Sequence, residues 1–507
     1  MVDSPAVLRR TRTRHHHPRG TRGAAWSILA AAAVVTALLL PGAGSADPAQ
    51  PSVTLAVTSG AVSAGAAVAV TGVVSHLRDG VTTVAVLQRT GSRWKKAASA
   101  ELEEDGSFTA RVTAGTPGSW QLVAQYGTGK KKVRSSVVAL TVAAVPNTWT
   151  AAGMGSRGTA AVAQDGTLWA WGANDAGQLG TGPTDTDAHP VPSLVSTETV
   201  WADVAVGDDH TLALRTDGTL WAWGGDAAGQ LGLGETTATV DSPAQVGRAG
   251  DWAAVAAGRF FSLGIKTDGT LWAWGLNANG QLGLGETTMT VSTPAQVGGE
   301  HDWTAVAAGW SHAAAIRGDR TLWTWGFNGN GQLGLGDTQT RYRPTPVIGD
   351  VSAWADVSCG TAFTVAVTSR GGLCAWGYNG DGQLGLGDTA QRSVPTRVGT
   401  RTGWSAVACG AHHTLALGAD ETLWAFGWNG RGQLGTAGTT DSTVPVRVGE
   451  TTGWASAYAG GDSSLGLKAD GALFAWGADD DGQLGIGSTE PAEEPTVVGS
   501  GAGRDAR

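Results

Sequence analysis

From residue 201 to residue 246, apolar and polar positions alternate in short blocks. Trp201–Val206 (WADVAV) is apolar and suits a strand, and the polar Gly207–His210 (GDDH) suits a turn. Thr211–Arg215 (TLALR) alternates with a period of two, and Asp217–Gly218 is a hairpin signal. Thr219–Trp223 (TLWAW) makes a third strand, a Gly-rich loop runs through GQLGLG, and Pro243–Val246 (PAQV) closes the unit. The pattern predicts four short strands. Trp221 and Trp223 are two residues apart, so they project from one face of the third strand.

The same block recurs seven times. GQLG starts at Gly177, Gly229, Gly280, Gly331, Gly382, Gly432 and Gly482. A Trp opens each unit at positions 149, 201, 252, 303, 354, 404 and 454, and a Gly follows it by six residues. These landmarks stay in phase, 50 to 52 residues apart, through every copy. One four-stranded sheet cannot shield both of its faces, whereas seven in a ring shield one another. The expectation is an all-β chain whose residues 149–499 form a seven-bladed β-propeller, preceded by a small β-sandwich. Each buried Trp removes about 150–250 Å² from water, an upper bound of roughly 4–6 kcal/mol before entropy. Packing between blades accounts for tryptophans that recur in nearly every unit.

The pattern W…VA.G..HT.AL..DGTLWAWG.N..GQLGLG…P..V resembles the regulator of chromosome condensation repeat family, over about 70% of the chain. The resemblance implies a seven-bladed propeller. It also implies that ring closure mixes strands from the two ends of the domain, although the repeats do not show which strand is exchanged. The family's best-known activity is nucleotide exchange on a small GTPase. Two features argue against it here. The near-constant unit length leaves no room for a blade insertion, and the N-terminus reads as an export signal.

That N-terminus carries Arg9, Arg10, Arg12, Arg14, Arg19 and Arg22, then an apolar run from Ala24 to Leu40, then Gly44, Ser45 and Ala46. This is the layout of a cleaved signal peptide over residues 1–46, with a membrane anchor as the alternative. The Arg9–Arg10 pair is compatible with twin-arginine export. Residues 51–143 differ in character. Their β-rich runs Val53–Val57, Val68–Val74, Thr82–Leu87 and Val137–Val142 are separated by the turn signals Asp79–Gly80, Thr90–Gly91, Asp105–Gly106 and Pro117–Gly118. The stretch VAVLQRTGSRWKKAASAELEEDGSFTARV looks like immunoglobulin-like modules of bacterial surface and secreted proteins. Lys130, Lys131, Lys132 and Arg134 form a basic patch, a solvated hairpin tip or a contact for an anionic cell-wall polymer. Residues 500–507 read as a flexible tail.

Composition sharpens this picture in two ways. With 41% apolar and 15% charged residues the chain is not disordered, and its 78 Gly and 23 Trp suit many short strands and tight turns. Charge is uneven: net +4 over residues 47–148 and −18 over residues 149–507. An acidic ring repels phosphate backbones, so nucleic acid is not an expected partner. After signal cleavage no membrane association is expected, and the protein should be a secreted monomer.

No residue set suggests catalysis, a metal or a cofactor. His210, His312 and His413 share one repeat position, where other units place Gly158, Phe261, Phe363 and Ser463. A structural His satisfied by backbone fits that interchange. Asp479–Asp480–Asp481–Gly482 has the start of a calcium loop but lacks the downstream Glu, so it reads as a turn. Cys359, Cys374 and Cys409 read as small buried side chains.

The variable part is the connection after each shared Gly. In a propeller the first and third connections of every blade share a face. Variable loops on a rigid ring usually carry recognition. The candidate binding residues are Arg157, Asp208, Asp209, Arg259, Phe260, Trp310, Thr361, His412 and Asp462. In each triplet the third residue is expected to pack inward, leaving the first two free. The expected function is a non-catalytic scaffold for an extracellular protein, of interaction or enzyme-inhibitor type. A carbohydrate or cell-wall polysaccharide ligand is the alternative.

Overall fold

A computed structural model describes residues 51–499 apart from short segments at 58–60, 64–66, 76–80, 91–92, 114–117, 128–131, 183–184, 237, 286–287, 348, 350 and 352. The leader 1–46, the tail 500–507, Asp79–Gly80, Gly91, Pro117 and Lys130–Lys131 lie outside the described residues. The chain divides into two compact units, with the boundary between Ala144 and Val145. No helix among the described residues is long and apolar enough to cross a membrane.

The second unit holds seven four-stranded antiparallel sheets, one for each repeat. Within each blade we letter the strands a to d in chain order. The a strands are Trp149–Met154, Trp201–Val206, Trp252–Ala257, Trp303–Ala308, Trp354–Cys359, Trp404–Cys409 and Trp454–Gly460. They pack side by side around the axis, and the last meets the first. Every sheet is made of four consecutive strands, so among the described residues no strand is exchanged to close the ring. This corrects the closure implied by the family resemblance. Closure instead uses the contacts that join any two blades. Trp149 N donates to Gly471 O (2.8 Å), Gly487 N to Pro190 O (2.8 Å) and Thr159 Oγ1 to Gln483 O (2.8 Å).

The apolar cores lie between blades. Leu212, Leu214, Leu220, Ala222, Leu231 and Val246 of blade 2 enclose Trp252, Val255 and Trp274 of blade 3. Trp252 meets both Trp272 and Trp274 edge to face, at 6.3 and 5.7 Å between centroids, as their shared strand face predicts. The GQLG motif serves this packing. The last Gly of the motif in blade 2, Gly232, has φ +74°, and a Cβ there would lie 2.8 Å from Trp274 Nε1 of the next blade. A side chain would push the indole out of its seat.

The hairpins between b and c explain the recurrent Asp-Gly-Thr-Leu-Trp. Asp217 accepts hydrogen bonds from Thr219 N (3.0 Å) and Thr219 Oγ1 (2.7 Å), and that hydroxyl accepts one from Trp221 Nε1 (3.1 Å). The d strand differs from expectation. In blade 2 it runs Thr239–Gln245 and so begins four residues before Pro243. It is an edge strand, and a register shift opposite Ala222/Gly224 accommodates the proline.

The first unit contains ten strands: β1 (Ser52–Val53), β2 (Ala56–Val57), β3 (Ala61–Ser63), β4 (Ala67–Ser75), β5 (Thr83–Thr90), β6 (Arg93–Glu101), β7 (Ser107–Thr113), β8 (Gly118–Tyr126), β9 (Val133–Arg134) and β10 (Val138–Ala143). One sheet is ordered β1-β4-β2 with β7 on β4, and the other β3-β10-β8-β5-β6 with β9 on β8. Both contribute to one apolar core, with Val68, Val70 and Phe108 from the first and Val84, Leu122 and Tyr126 from the second.

Candidate functional site: the loop face of the ring

The a–b and c–d loops share one face of the ring. Arg157, in the a–b loop of blade 1, reaches Asp175 in the c–d loop of its own blade and Asp481 in that of blade 7, both at 3.0 Å. This exposed latch across the closure point contributes under about 1 kcal/mol. It places a candidate contact residue partly in a structural role.

Each triplet after the shared Gly sorts its three residues in three directions. The third residue is buried in every blade, as expected. The first residues, Ser156, Asp208, Arg259, Trp310, Thr361, Ala411 and Gly461, all line an open depression of about 420 Å³ at the axial mouth. The second residues (Arg157, Asp209, Phe260, Ser311, Ala362, His412 and Asp462) lie outside that lining. The sequence suggested one set of free positions; the structure resolves it into an inner ring and an outer ring.

The inner ring is uneven. Ser156 hydrogen-bonds Asp208, and Asp208 Oδ2 accepts from Arg259 Nε at 3.1 Å. The Arg259 guanidinium lies 4.2 Å from the Trp310 ring centroid and 4.9 Å from that of Phe260. One network therefore links blades 1 to 4 and holds Trp310 on the rim with 40% of its surface exposed. Blades 5 to 7 place the smaller, uncharged Thr361, Ala411 and Gly461 at the same positions. Thr361 Oγ1 has no hydrogen-bond partner within the protein.

The outer ring meets the c–d loops. His412 Nδ1 pairs with Asp381 Oδ2 at 3.0 Å, and its ring meets Trp428 edge to face at 6.3 Å. Asp462 is half-buried, and desolvation raises its carboxyl above the ordinary range despite His412 and Arg431 nearby. Asp462 Oδ1 has no hydrogen-bond partner within the protein. Asp209 accepts from Gln230 Nε2 at 3.3 Å.

The candidate residues therefore do not form one cluster. Asp208, Arg259, Phe260 and Trp310 are joined, and His412 and Asp462 are neighbours. Arg157, Asp209 and Thr361 stand in separate settings.

Sequence reasoning missed an aromatic arc. The residue after the Trp/Phe-Gly that ends each c strand opens the c–d loop, and it is Phe327, Tyr378 and Trp428 in blades 4, 5 and 6. Phe327 and Tyr378 are each 37% exposed, and Trp428 is half-buried. Blades 7, 1 and 2 place Ala478, Ala173 and Gly225 there. A sequence signal existed. All three aromatic blades have Gly two residues on, at 329, 380 and 430, where the others have Asp or Ala. A Cβ on Gly380 would lie 2.1 Å from Tyr378 Oη. The ring lies across its own loop, which only a bare backbone permits.

The remaining polar candidates are parts of the scaffold. Ser262 Oγ donates to Gln230 O at 2.7 Å, so His210 Nε2 is the donor in its 3.0 Å bond to that hydroxyl. His312 with Thr364 (3.0 Å) and His413 with Ser464 (2.8 Å) repeat the arrangement. The partner is thus a side chain of the next blade rather than backbone. Burial pushes His312 down to about 4 and His413 down to about 3. Asp479 accepts from Leu484 N at 2.8 Å, the bond that Asn277 makes to Leu282 N. Desolvation pushes its carboxyl up to about 7. Cys359, Cys374 and Cys409 are free and buried, and burial pushes the Cys409 thiol up to about 12. Among the described residues no group of three His, Cys, Asp or Glu is placed to hold a metal.

Comparison with known proteins agrees with this geometry. The family model of the RCC1-like domain matches residues 110–404. The Regulator of chromosome condensation (RCC1) repeat matches residues 404–433, 420–467 and 470–506. The chain belongs to the RCC1-like repeat family. Among its relatives in this family, the ultraviolet-B receptor UVR8 of Arabidopsis thaliana is 32% identical over 238 residues, 46% of this chain and 54% of the receptor. The human probable E3 ubiquitin-protein ligase HERC6 is 32% identical over 237 residues, 45% of this chain and 23% of the ligase. The chain thus spans about half of one and about a quarter of the other. Two solved structures share the RCC1-like fold at 23% identity and a TM-score of 0.59. Human WBSCR16 matches over 68% of this chain and 94% of its own. Yeast RCC1 (Prp20), solved bound to Kap60, matches over 66% and 83%.

Proposed function

We propose that this RCC1-like protein is an exported, non-catalytic scaffold that binds a protein partner through the loop face of its propeller. The observation that carries this reading is the arrangement around the axial mouth. Trp310 lines the mouth, and Phe260, Phe327, Tyr378 and Trp428 stand outside that lining on the same loop face, over blades 3 to 6. Exposed and half-buried aromatics, with Arg259 beside Phe260 and Trp310, have the composition of an interface hot spot. Arg259 is already oriented by Asp208, so little side-chain entropy is lost when a partner lands on it. The non-catalytic reading is supported by the three histidines, which are buried and committed to hydroxyls of the next blade. The export reading rests on the arginine-rich leader and apolar run of residues 9–46.

The test is quantitative capture of extracellular proteins by immobilised wild type and by Trp310→Ala. A partner retained by wild type and lost from the variant, with unchanged circular dichroism, supports the reading. Equal retention by both, or turnover of a substrate by wild type, contradicts it.

A further inference from the structure

The front unit carries a second surface, far in chemistry from the propeller loops. In the six-stranded sheet, Leu87 pairs with Lys96, Arg89 with Trp94, Leu87 with Val123, and Gln125 with Arg134. Strand alternation puts these side chains, with Gln121, on the face opposite the apolar core. Leu87 and Val123 are buried on this face although they lie outside that core. Arg89 Nη1 donates to Gln121 Oε1 at 2.9 Å, and Arg134 Nε donates to Gln125 Oε1 at 3.1 Å. The Arg134 guanidinium lies 5.8 Å from the Trp94 ring centroid. Arg89, Lys96 and Arg134 are exposed, and so are the neighbouring Arg93, Lys95 and Lys132.

Lysines on the edge strand β6 also discourage edge pairing. That role does not account for Arg89 and Arg134, which stand on β5 and β9 and each donate to a glutamine carboxamide. The unit's acidic run, Glu101 to Asp105, lies at the far end of β6. Seven residues separate Trp94 from Glu101, about 23 Å along a strand, against a screening length of about 8 Å at physiological salt. The acids are therefore screened from Trp94 and Arg89, whereas the row of Arg134, Gln125, Ala85 and Ser99 lies two residues from Glu101.

We infer that this face binds an anionic glycan. A sugar ring packs on the indole of Trp94, and its carboxylate meets the guanidinium groups of Arg89 and Arg134. Each glutamine has its carboxamide oxygen committed to an arginine, which leaves its amide nitrogen to meet a sugar hydroxyl. Guanidinium forks match the planar geometry of a carboxylate better than ammonium groups do. From β9 to β6 the surface crosses three strand spacings, about 14 Å, room for a short stretch of one sugar chain.

The test uses the full mature chain in equilibrium binding at low and high salt. The probes are polygalacturonate, a glycerol-phosphate polymer, neutral dextran and single-stranded DNA. Binding to polygalacturonate is expected, and the glycerol-phosphate polymer, which has no sugar ring to pack on Trp94, should bind at least tenfold more weakly. Polygalacturonate binding should weaken with salt and drop at least tenfold in the doubly substituted Arg89→Gln, Arg134→Gln chain. Trp94→Ala should also weaken it, and Trp310→Ala in the propeller should leave it unchanged. Four results would overturn the proposal: no binding to polygalacturonate or a preference for the glycerol-phosphate polymer, equal binding by the Arg→Gln chain, preference for DNA, or a salt-labile self-association in place of glycan binding.

Discussion

The indole nitrogen of Trp274 in blade 3 donates to the main-chain carbonyl of Gln230 in blade 2, 2.9 Å away. Ser262, also in blade 3, donates to the same oxygen. The indole–carbonyl bond recurs between Trp223 and Gln178, Trp325 and Gln281, Trp376 and Gln332, and Trp476 and Gln433. Each blade thus clamps the c–d loop of the blade before it at the GQLG motif. The residues just ahead of the motif are then free to vary, and there the aromatic arc appears.

Substituting Trp274→Phe removes the indole donor and little apolar surface. Blade 6 shows the site tolerates this, since Phe426 stands there and Thr414 alone holds the Gln383 carbonyl. The expected loss is about 1 kcal/mol, the net worth of one buried hydrogen bond. Trp274→Ala should lose about 3–5 kcal/mol because a cavity opens between blades. Denaturant unfolding of both variants checks the ratio.

The buried histidines make the ring acid-sensitive. Their folded pKa values, about 4 for His312 and about 3 for His413, lie below the unfolded value near 6.5. Below pH 6.5 the unfolded chain takes up protons that the folded ring refuses. The stability tied to neutral His is therefore complete above pH 6.5 and is lost as pH falls toward 4 and 3. The doubly substituted His312→Phe, His413→Phe chain reproduces the sister blades that carry Phe261 and Phe363. It should lose less stability than wild type between pH 7 and pH 4. Thermal melts across that range measure the difference.

Asp356 acts in the opposite sense. Its carboxylate accepts from Val407 N of blade 6 at 2.9 Å, and burial pushes it up to about 7 from an ordinary value of 3.8. Its contribution is complete below the unfolded value and is lost as pH rises through 7. Asp356→Asn keeps an acceptor without the buried charge. Relative to wild type, the variant should therefore gain melting temperature at pH 8, and the gain should shrink toward pH 5.

Gly380→Ala tests the seat of the aromatic arc. The new methyl occupies the place of the Tyr378 ring, which must swing away from its loop. Fold stability should change by less than about 1 kcal/mol, because Tyr378 lies at the surface. Partner affinity should fall as much as in Tyr378→Ala. Binding measurements on the two variants compare the effects directly.

The ring was legible because each blade needs the same contacts. Trp201, Gly207 and GQLG recur for packing reasons, and a period of about 50 residues is the direct trace of that packing. The inward turn of His210, His312 and His413 was also readable from their interchange with Phe261 and Phe363. Their true partners were not, because Ser262, Thr364 and Ser464 lie about fifty residues away and only the ring brings them close. The separation of Asp208 from Asp209 into inner and outer rings depends on backbone direction at a turn, which neighbouring polar residues do not reveal. Phe327, Tyr378 and Trp428 escaped notice because they vary between repeats next to an invariant motif. Ring closure without strand exchange is set by where strand a of blade 1 lies, and no residue type marks that.

The central claim is that recognition belongs to the loop face and not to the opposite hairpins. The most direct measurement is the affinity of the captured extracellular partner for wild type, for Trp310→Ala on the loop face, and for Arg370→Ala on a b–c hairpin of the other face. A loss of at least tenfold in Trp310→Ala, about 1.4 kcal/mol or more, with Arg370→Ala equal to wild type, is the predicted result. Undiminished affinity in Trp310→Ala together with a loss in Arg370→Ala would place the contact on the wrong side of the ring and contradict the account.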